Sequence, residues 1–467
     1  MRIFSRRTAL LSGTMAWLAT PIVGCAASIA APQPIDLVPA DLREALKPFD
    51  PALWPGPVGS AEQAAYKAAA KGLFEAMLAR DMARIKNAVV TTRSALGKWD
   101  SVPEVLFPYG APINAAAPND VVATRLTVDS YRNFLSRAPW HDPARGSDHP
   151  TARLRITARA AEAMLRLNLA GLDPGGLLLK EAVLALEYAM SVQAPNGAFG
   201  YPYVAEGGSV VAQDAAQFVK KAQAEGREVL YKGWIIDDSN NGGLEFDNAV
   251  IGTTLLLAAH MTGRTDFVVS AVRCGDWALK RHFVPNINYN TLSAFLFARL
   301  YRVTGEAKWL EASKAIFRYV ALPTQAASGR WFDPHNARIQ YHSIIMRHAL
   351  ELYLALDKAG DPMKDQITVA VRRGLDNLAS QILLYGSSDT DEMLTTEALM
   401  LGEAILGSSK LWHAAESIDV NEMVYHVAAK LQAHNMPVAP PMALYLQARQ
   451  RRLEKTGPGA FETSTGF

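Results

Sequence analysis

A repeating helix-pair pattern constrains the fold of this sequence more than any other feature. Apolar residues recur at the helical spacing i, i+3 and i+4 along most of the 467-residue chain, and no strand-like alternation follows residue 59. Four glycines, Gly263, Gly305, Gly360 and Gly407, end successive helical segments at intervals of 42, 55 and 47 residues. A period of this size predicts stacked α-helical hairpins.

Helical spacing of apolar residues, interrupted by short Gly, Pro, Asn and Asp segments, predicts twelve helices along the chain. They are predicted over 60–97, 153–170, 178–194, 245–261, 264–281, 290–304, 306–321, 340–357, 363–384, 391–406, 420–434 and 440–455. Six of them begin successive hairpins, and the sixth lacks a downstream partner. Because the helix at 60–97 can supply that partner, we predict an all-α fold closed into an (α/α)6 toroid, with an open α-solenoid as the alternative.

Composition limits the classes of function. Hydrophobic residues make up 49% of the chain, which is enough for a large core. The 47 basic residues are balanced by 45 acidic ones, so no electrostatic surface for nucleic acid is indicated. We expect a monomer without a nucleic-acid partner.

The N-terminus has the features of an export signal. Arg6 and Arg7 precede a short apolar stretch, which resembles a twin-arginine signal over residues 1–31, followed by a linker over 32–59 and one domain over 60–467. Cys25 in "IVGC" resembles a lipidation site, and cleavage within "AASIAAP" would instead release a soluble protein. We expect a periplasmic or outer-membrane-anchored protein of a Gram-negative bacterium. Cys274 is then the only remaining cysteine and is predicted to be a small buried apolar residue.

Polar residues collect where the inner helices of a toroid would begin. Inner helices run parallel, so their N-termini and positive dipole ends share one mouth. The residues expected there are Arg153, Arg155, Glu245, Asp247, Asn248, Asn286, Asn288, Asn290, Tyr341, His342, Asp389, Asp391, Glu392 and Asn435. Helix capping is the alternative explanation for Asp247, Asp389 and Asp391. At a helix start the dipole would keep His342 neutral, as a general base requires.

The longest excursion lies between the first and second hairpins. Its residues Tyr201, Tyr203 and Trp234 could form an aromatic platform for a sugar ring, or could seal the excursion against the toroid. The oxygen-rich stretch "DDSNNGG" does not fit an EF-hand, because the twelfth position from Asp238 is Ala249. A different calcium site is possible. No zinc spacing, P-loop or dinucleotide motif is present, and no cofactor is expected.

Two segments resemble signatures of the pectate lyases built on an α/α toroid. The first signature is matched by Gln193, Pro195, Asn196, Gly197, Phe199, Tyr201 and Pro202, and the second by Phe246, Asp247, Asn248 and Ala249. Asn248 stands where the family has an aspartate, and the later arginine segment of the family has no counterpart. The resemblance covers roughly residues 153–280 and implies a toroid of the six-hairpin glycosidase and polysaccharide lyase group.

This resemblance implies an exported enzyme acting on a polysaccharide or oligosaccharide. A uronate lyase, slightly favoured, would use Asn288 or Asn290 with Arg155 to neutralise the carboxylate, and His342 and Tyr341 as base and acid. A glycoside hydrolase would instead pair Asp247 with Asp391 or Asp238.

The other expected substrate contacts are Glu245, Arg347 and the three aromatic residues of the excursion. A non-catalytic glycan-binding envelope lipoprotein is the third possibility. On the enzymatic interpretation, Asp247→Asn and His342→Ala each abolish turnover and leave the helical circular-dichroism signal intact.

Overall fold

A computed structural model describes most of the helical region. The described residues are 60–79, 81–100, 135, 138–141, 153–203, 210–238, 242–281, 283–284, 286–331, 333, 339–385, 398–399, 401–403, 405–407 and 409–412. The export signal, Cys25, the linker and the helices predicted at 420–434 and 440–455 lie outside this set, as do Asp389, Asp391, Glu392 and Asn435.

Four consecutive hairpins carry the fold. Their first helices are α3 (Arg153–Leu169), α6 (Gly243–Thr262), α8 (Ile287–Thr304) and α10 (Ile339–Ala359). Their second helices are α4 (Leu177–Ser191), α7 (Thr265–Ala278), α9 (Ala307–Ile316) and α11 (Met363–Tyr385). Each first helix packs against its own second helix and against the next first helix, so the first helices form the inner layer.

The predicted glycine turns are confirmed. Gly263, Gly305, Gly360 and Gly407 all have φ between 65° and 84°, the left-handed conformation in which glycine ends a helix without a steric penalty. The backbone N–H groups of Gly263 and Gly305 each bond the carbonyl four residues earlier, at 2.8 Å. The repeat in the sequence therefore reflects one capping geometry used in successive hairpins.

An ion pair between two inner helices distinguishes the predicted toroid from the alternative open solenoid. Arg347 of α10 donates from Nη2 to Glu162 Oε1 of α3 at 2.8 Å, although two inner helices lie between them in the chain. In an open solenoid each repeat contacts only its neighbours. The first and fourth inner helices therefore face each other across a common axis, and the toroidal, all-α class is confirmed over the described residues.

The N-terminal region differs from the single helix predicted at 60–97. It forms two helices packed on each other, α1 (Ala61–Leu78) and α2 (Met82–Asp100), and Asp81 caps the second by accepting hydrogen bonds from the Ala83 and Arg84 N–H groups. This pair packs against the 3-10 turn Leu322–Thr324, before the fourth hairpin. The sixth hairpin that this segment was predicted to complete lies outside the described residues, so that pairing stays a prediction.

The excursion after the first hairpin contains a small sheet that the sequence pattern did not predict. Three two-residue strands, β1 (Tyr201–Pro202), β2 (Leu230–Tyr231) and β3 (Trp234–Ile235), pair antiparallel in the order β1-β3-β2. The helix α5 (Val210–Ala224) lies between β1 and β2 in the chain. Strands this short are too brief to show alternation, which is why periodicity missed them.

The turn that enters the second hairpin is held by a buried glutamine. Gln193 Nε2 donates to the Gly197 carbonyl at 2.9 Å and to the Ser270 carbonyl at 3.0 Å. Gly197 has φ +96°, and a Cβ placed there would lie 2.1 Å from the Arg273 carbonyl oxygen. Only glycine accommodates both the backbone conformation and this close approach.

The turn that enters the fourth hairpin repeats this construction. Gln325 Nε2 donates to the Gly329 and Ala370 carbonyls at 2.8 and 2.7 Å. Gly329 has φ +91°, and its Cβ would lie 2.3 Å from the Arg373 carbonyl oxygen. The two turns, "QAPNGAF" and "QAASGRW", are therefore equivalent parts of a structural repeat.

Each of these turns is clamped by the inner helix that follows it. Asn248 of α6 accepts the Phe199 N–H through Oδ1 at 2.8 Å and donates to the Phe199 carbonyl at 3.0 Å. His342 of α10 accepts the Trp331 N–H through Nδ1 at 3.0 Å. Both clamping side chains are fully buried, so His342 is the structural equivalent of Asn248.

We expect Gly197→Ala to lower the free energy of unfolding by about 2–4 kcal/mol, because a left-handed alanine and the contact with the Arg273 carbonyl both cost energy. Urea denaturation measures the change. Gly226→Ala is the matched control, since Gly226 has φ +73° with nothing within 4 Å of its Cβ, and should lose only about 1 kcal/mol. Equal losses would show that the close approach has no effect.

Candidate functional site: an acid–base cluster at the N-terminal ends of the inner helices

A buried ion pair joins the first turns of α3 and α6. Arg155 Nε donates to Asp247 Oδ1 at 2.5 Å, and both residues are less than a tenth exposed. The Arg155 guanidinium also lies over the Phe246 ring, 4.3 Å from its centre. Both Arg155 and Asp247 therefore lie at the predicted mouth, in direct contact with each other.

Asp247 does not cap its helix. The residue before α6 is Gly242, and the Leu244 N–H donates instead to Asp238 Oδ2 at 3.0 Å. Asp238, which precedes the helix by five residues, therefore satisfies the free N–H group that a cap residue usually takes. Asp247 is left to pair with Arg155.

A second cluster forms around Arg281, which follows α7. Its guanidinium binds Glu245 Oε1 through Nε at 2.8 Å, Asp238 Oδ1 through Nη2, and Asp237 Oδ1 through Nη1 at 3.4 Å. Arg227 binds the other oxygen of Asp237 at 2.7 Å. One arginine from the connection after α7 therefore holds three carboxyl groups together.

Glu245 has the electrostatic environment expected of a proton-transfer group. Burial and the neighbouring Asp238 raise its pKa to about 7, although Arg281 acts in the opposite direction. Its Oε1 atom binds Arg281, whereas its buried Oε2 atom has no hydrogen-bond partner in the described part of the chain. A carboxyl group with a neutral pKa and one open oxygen can both accept and release a proton near neutral pH.

The two clusters lie on different sides of α6. Residues two apart in a helix are separated by about 200°, so Glu245 and Asp247 do not face each other. Phe246 lies between them, and its ring meets Tyr289 of α8 edge-on at 5.5 Å between centroids. The geometry therefore does not make Glu245 and Asp247 a facing carboxylate pair.

The three asparagines at the start of α8 have mainly structural contacts. Asn286 caps the helix by accepting the Tyr289 N–H. Asn290 donates to the carbonyls of Val284 and Asn286 at 2.6 and 2.7 Å, so its amide is used in holding the turn. This geometry does not support a role for Asn290 in neutralising a substrate carboxylate.

Asn288 differs from its neighbours because part of its amide is open. Its backbone N–H and its side-chain Nδ2 both donate to Asp333 Oδ2 at 2.9 Å. Its Oδ1 atom is buried and has no hydrogen-bond partner within the described residues. Asn288 therefore keeps an acceptor at the predicted mouth.

His342 is part of the fold, in contrast to the predicted general base. Nε2 donates to the Gly374 carbonyl at 3.0 Å and Nδ1 accepts the Trp331 N–H, so both ring nitrogens are bonded to backbone groups. Burial, together with the charge of Arg330, lowers its pKa to about 3. The ring is neutral, as expected, but the lone pair of Nδ1 already accepts the Trp331 N–H and is not available to a substrate proton. Tyr341 is 4% exposed at the same turn.

The predicted aromatic platform is largely covered. Tyr201 and Trp234 are each 8% exposed, and both belong to the main apolar core. Tyr203 is half-buried, and its N–H donates to the Gly233 carbonyl at 2.8 Å beside the small sheet. These contacts favour the sealing role for Tyr201 and Trp234.

Two further predictions have clear outcomes. Arg347 lies two turns inside α10, where it binds Glu162, and so does not belong to the first turns that form the mouth. Cys274 is fully buried, its pKa is raised by burial, and its Sγ contacts the Asn248 carbonyl oxygen. Its predicted role as a small core residue is confirmed.

Arg281, Asp333 and Tyr66 belong to this end of the fold but were missed in the sequence. Burial, together with the charge of Asp333, raises the pKa of Tyr66 of α1 well above its usual value. Arg281 and Asp333 come from connections, where no periodic pattern marks a side chain as inward-facing. The only sequence feature that could have indicated Arg281 and Asp333 is that each lies six residues before the first residue of an inner helix.

The described residues contain no group of three or more His, Cys, Asp or Glu side chains suited to a metal ion. Among the helices that the structure describes, none is both long and apolar enough to cross a membrane.

No known protein family and no curated protein matches this chain. The solved structures that are similar to it at low identity include the following three. One is a polysaccharide lyase, with a TM-score of 0.45, 10% identity, and coverage of 72% of this chain and 99% of the lyase. Another is a cellobiose 2-epimerase from Spirochaeta thermophila, with a TM-score of 0.45, 11% identity, and coverage of 72% and 98%. The third is a cellobiose 2-epimerase from Bacillus thermoamylovorans, with a TM-score of 0.41, 11% identity, and coverage of 70% and 99%.

The fold and the site together define the class of this protein: an all-α protein of toroidally arranged helix hairpins with a buried acid–base cluster at the N-terminal ends of its inner helices.

Proposed function

We propose that this protein is a carbohydrate-active enzyme that cleaves a polysaccharide or an oligosaccharide, with Glu245 as the group that transfers the proton. The observation that carries the proposal is the state of the Glu245 carboxyl: buried, with a pKa of about 7 and an open Oε2 atom. Such a group is poised for general acid–base chemistry at neutral pH.

The carbohydrate class is supported by the two segments that resemble the pectate lyase signatures. Phe199 of the first segment and Asn248 of the second are 49 residues apart in the chain, yet Asn248 forms hydrogen bonds with both backbone groups of Phe199. The resemblance therefore involves residues that form one structural unit, and Glu245 immediately precedes the second segment.

Elimination on a uronate chain is the first candidate chemistry. It requires a base for the proton at C5 and a cation or donor near the substrate carboxylate. Glu245 has a pKa suited to the base, and Arg281, bonded to it at 2.8 Å, is the adjacent cation. Asn288 Oδ1, buried and without a hydrogen-bond partner among the described residues, is the acceptor we assign to a sugar hydroxyl.

Hydrolysis is the second candidate, favoured by a different observation. Arg281 binds both Asp238 and Glu245, which brings two carboxyl groups to the same guanidinium. Glycoside hydrolysis uses two carboxyl groups that flank the scissile bond, one as acid and the other as base or nucleophile. In this mechanism Glu245 would be the acid.

The proposal is tested by incubating the purified protein with a panel of uronate-containing and neutral polysaccharides. Rising ultraviolet absorbance from an unsaturated uronate indicates elimination, whereas new reducing ends without that absorbance indicate hydrolysis. Binding of a glycan without turnover would contradict the enzymatic proposal and support a glycan-binding protein.

Export directed by Arg6 and Arg7 is part of the proposal, with either lipid attachment at Cys25 or cleavage after it. The mass of the mature N-terminal peptide distinguishes the two.

A further inference from the structure

A second buried charged cluster lies on the axis of the helix ring, away from the mouth. It is formed by long side chains from three inner helices and contains four guanidinium groups and two carboxylates. Its members are Glu162 and Arg166 of α3, Arg299 and Arg302 of α8, and Arg347 and Glu351 of α10.

Each carboxylate in this cluster, which we call the axial cluster, is shared by two arginines. Glu162 Oε1 accepts hydrogen bonds from Arg166 Nε at 3.0 Å, from Arg166 Nη2 at 2.8 Å and from Arg347 Nη2 at 2.8 Å. Glu351 binds Arg302 at 2.8 Å and Arg299 at 3.2 Å. Positive charge therefore exceeds negative charge among these six side chains.

The Arg166 guanidinium has a donor without an acceptor in the described part of the chain. Arg166 is 1% exposed, and its buried Nη1 atom has no hydrogen-bond partner among those residues, although Nε and Nη2 of the same guanidinium are bonded. A buried charged donor without an acceptor is expensive, because it has lost its water and gained nothing in exchange. The free edge of this guanidinium indicates a missing acceptor beside Glu162.

The titration behaviour of the neighbouring groups agrees with an excess of positive charge. Burial lowers the pKa of Arg299 to about 10. Glu351 opposes this shift, whereas the charges of Arg166 and Arg347 add to it. His348, which lies against Phe295, has a pKa well below its usual value because of burial and the charges of Arg347 and Arg299.

The surroundings of the cluster limit the size of the missing group. Arg299 and Arg347 both lie over the Phe295 ring, at 4.3 and 5.0 Å from its centre. Phe295 therefore offers these two arginines an aromatic face and no anionic acceptor. A sugar acid would also have to reach side chains that are at most 15% exposed.

We propose that the axial cluster binds a small monovalent anion of the size of chloride, held through the free Nη1 edge of Arg166 next to Arg299 and Arg347. A halide accepts N–H donors from several directions and offsets part of the excess positive charge of these six side chains. The anion ties three inner helices together and is separate from the Glu245 cluster.

The test is the thermal unfolding midpoint of the purified protein at constant ionic strength, with sodium chloride or sodium bromide replacing sodium gluconate. We expect the midpoint to rise by about 2–4 °C in either halide, since an anion that binds only the folded state stabilises it by mass action. Equal midpoints in halide and gluconate would overturn the proposal.

Two variants and one crystallographic measurement localise the effect. Arg166→Gln should lose the halide dependence, whereas Arg264→Gln, which removes a surface arginine paired with Asp266, should keep it. Crystals grown in sodium bromide should show an anomalous peak beside Arg166 Nη1. Density without anomalous signal would identify a buried water and overturn the proposal, and this readout does not depend on either variant folding.

Discussion

Replacing Glu245 with glutamine should lower kcat by about 10²–10⁴-fold on the substrate identified by the panel, because glutamine keeps the shape but cannot transfer a proton. The folded structure should persist, since glutamine can still accept the hydrogen bond from Arg281 Nε. Steady-state kinetics on the purified variant measure the effect. Glu187→Gln is the control, because Glu187 forms a surface ion pair with Arg264 on an outer helix.

The pH profile distinguishes the two candidate mechanisms. If Glu245 acts as a base in elimination, its active form is the carboxylate, and kcat/KM of the wild type should rise as pH increases through about 7. If it acts as the acid in hydrolysis, kcat/KM should fall above about 7. A profile without a transition near this pKa would remove Glu245 from the mechanism.

A stability measurement tests the raised pKa independently of any substrate. A carboxyl whose pKa rises from 4.5 to about 7 on folding makes a contribution to stability that is complete below pH 4.5 and is lost as pH rises through about 7. The Glu245→Gln variant lacks this dependence. The wild type should therefore lose about 3 kcal/mol of unfolding free energy between pH 4.5 and pH 8 relative to the Glu245→Gln variant. A constant difference would show that Glu245 has an ordinary pKa.

Replacing His342 with alanine should destabilise the fold by about 3–5 kcal/mol, because two buried backbone groups lose their partners and a cavity is left. The groups are the Trp331 N–H and the Gly374 carbonyl, each 3.0 Å from a ring nitrogen. The sequence pattern predicted the opposite behaviour, loss of turnover with an intact fold. Urea denaturation and steady-state kinetics, compared on the same preparation, separate the two interpretations.

The repeated turn supplies a rescue variant for this experiment. Asn248 performs the equivalent function in the second hairpin by accepting the Phe199 N–H through its amide oxygen. His342→Asn can accept the Trp331 N–H in the same way and should recover part of the stability lost in His342→Ala. A stable but inactive His342→Ala protein would restore His342 as the base and contradict the structural assignment.

The inner and outer helices were largely predictable because their signal is local. The predicted segment 363–384 is α11 at Met363–Tyr385, and 153–170 is α3 at Arg153–Leu169. Apolar spacing and glycine stops are read within a single helix. The single helix predicted at 60–97 is the exception. Asp81 ends the first helix there by capping a second one, but the apolar pattern continues across this point, so the local signal does not show the break.

The roles of the polar residues at the mouth were less predictable. Position alone predicted Arg155, Glu245 and Asp247 at one end of the fold, and the structure brings Arg155 and Asp247 into contact there. It did not distinguish Asn290 and His342, whose side chains are used in backbone hydrogen bonds, from Glu245, whose Oε2 atom is open. That distinction depends on contacts with residues that are distant in the chain.

The sequence by itself determined the all-α class, the hairpin period and the end of the helices at which the polar residues collect, because helix periodicity and glycine caps are short-range effects. Only the tertiary structure decided which of these residues has a raised pKa and a carboxyl oxygen without a partner among the described residues. The pKa of Glu245 is set by burial and by Asp238 and Arg281, and Arg281 lies 36 residues away along the chain. Electrostatic interactions of this kind depend on distance in space, which the folded chain alone defines.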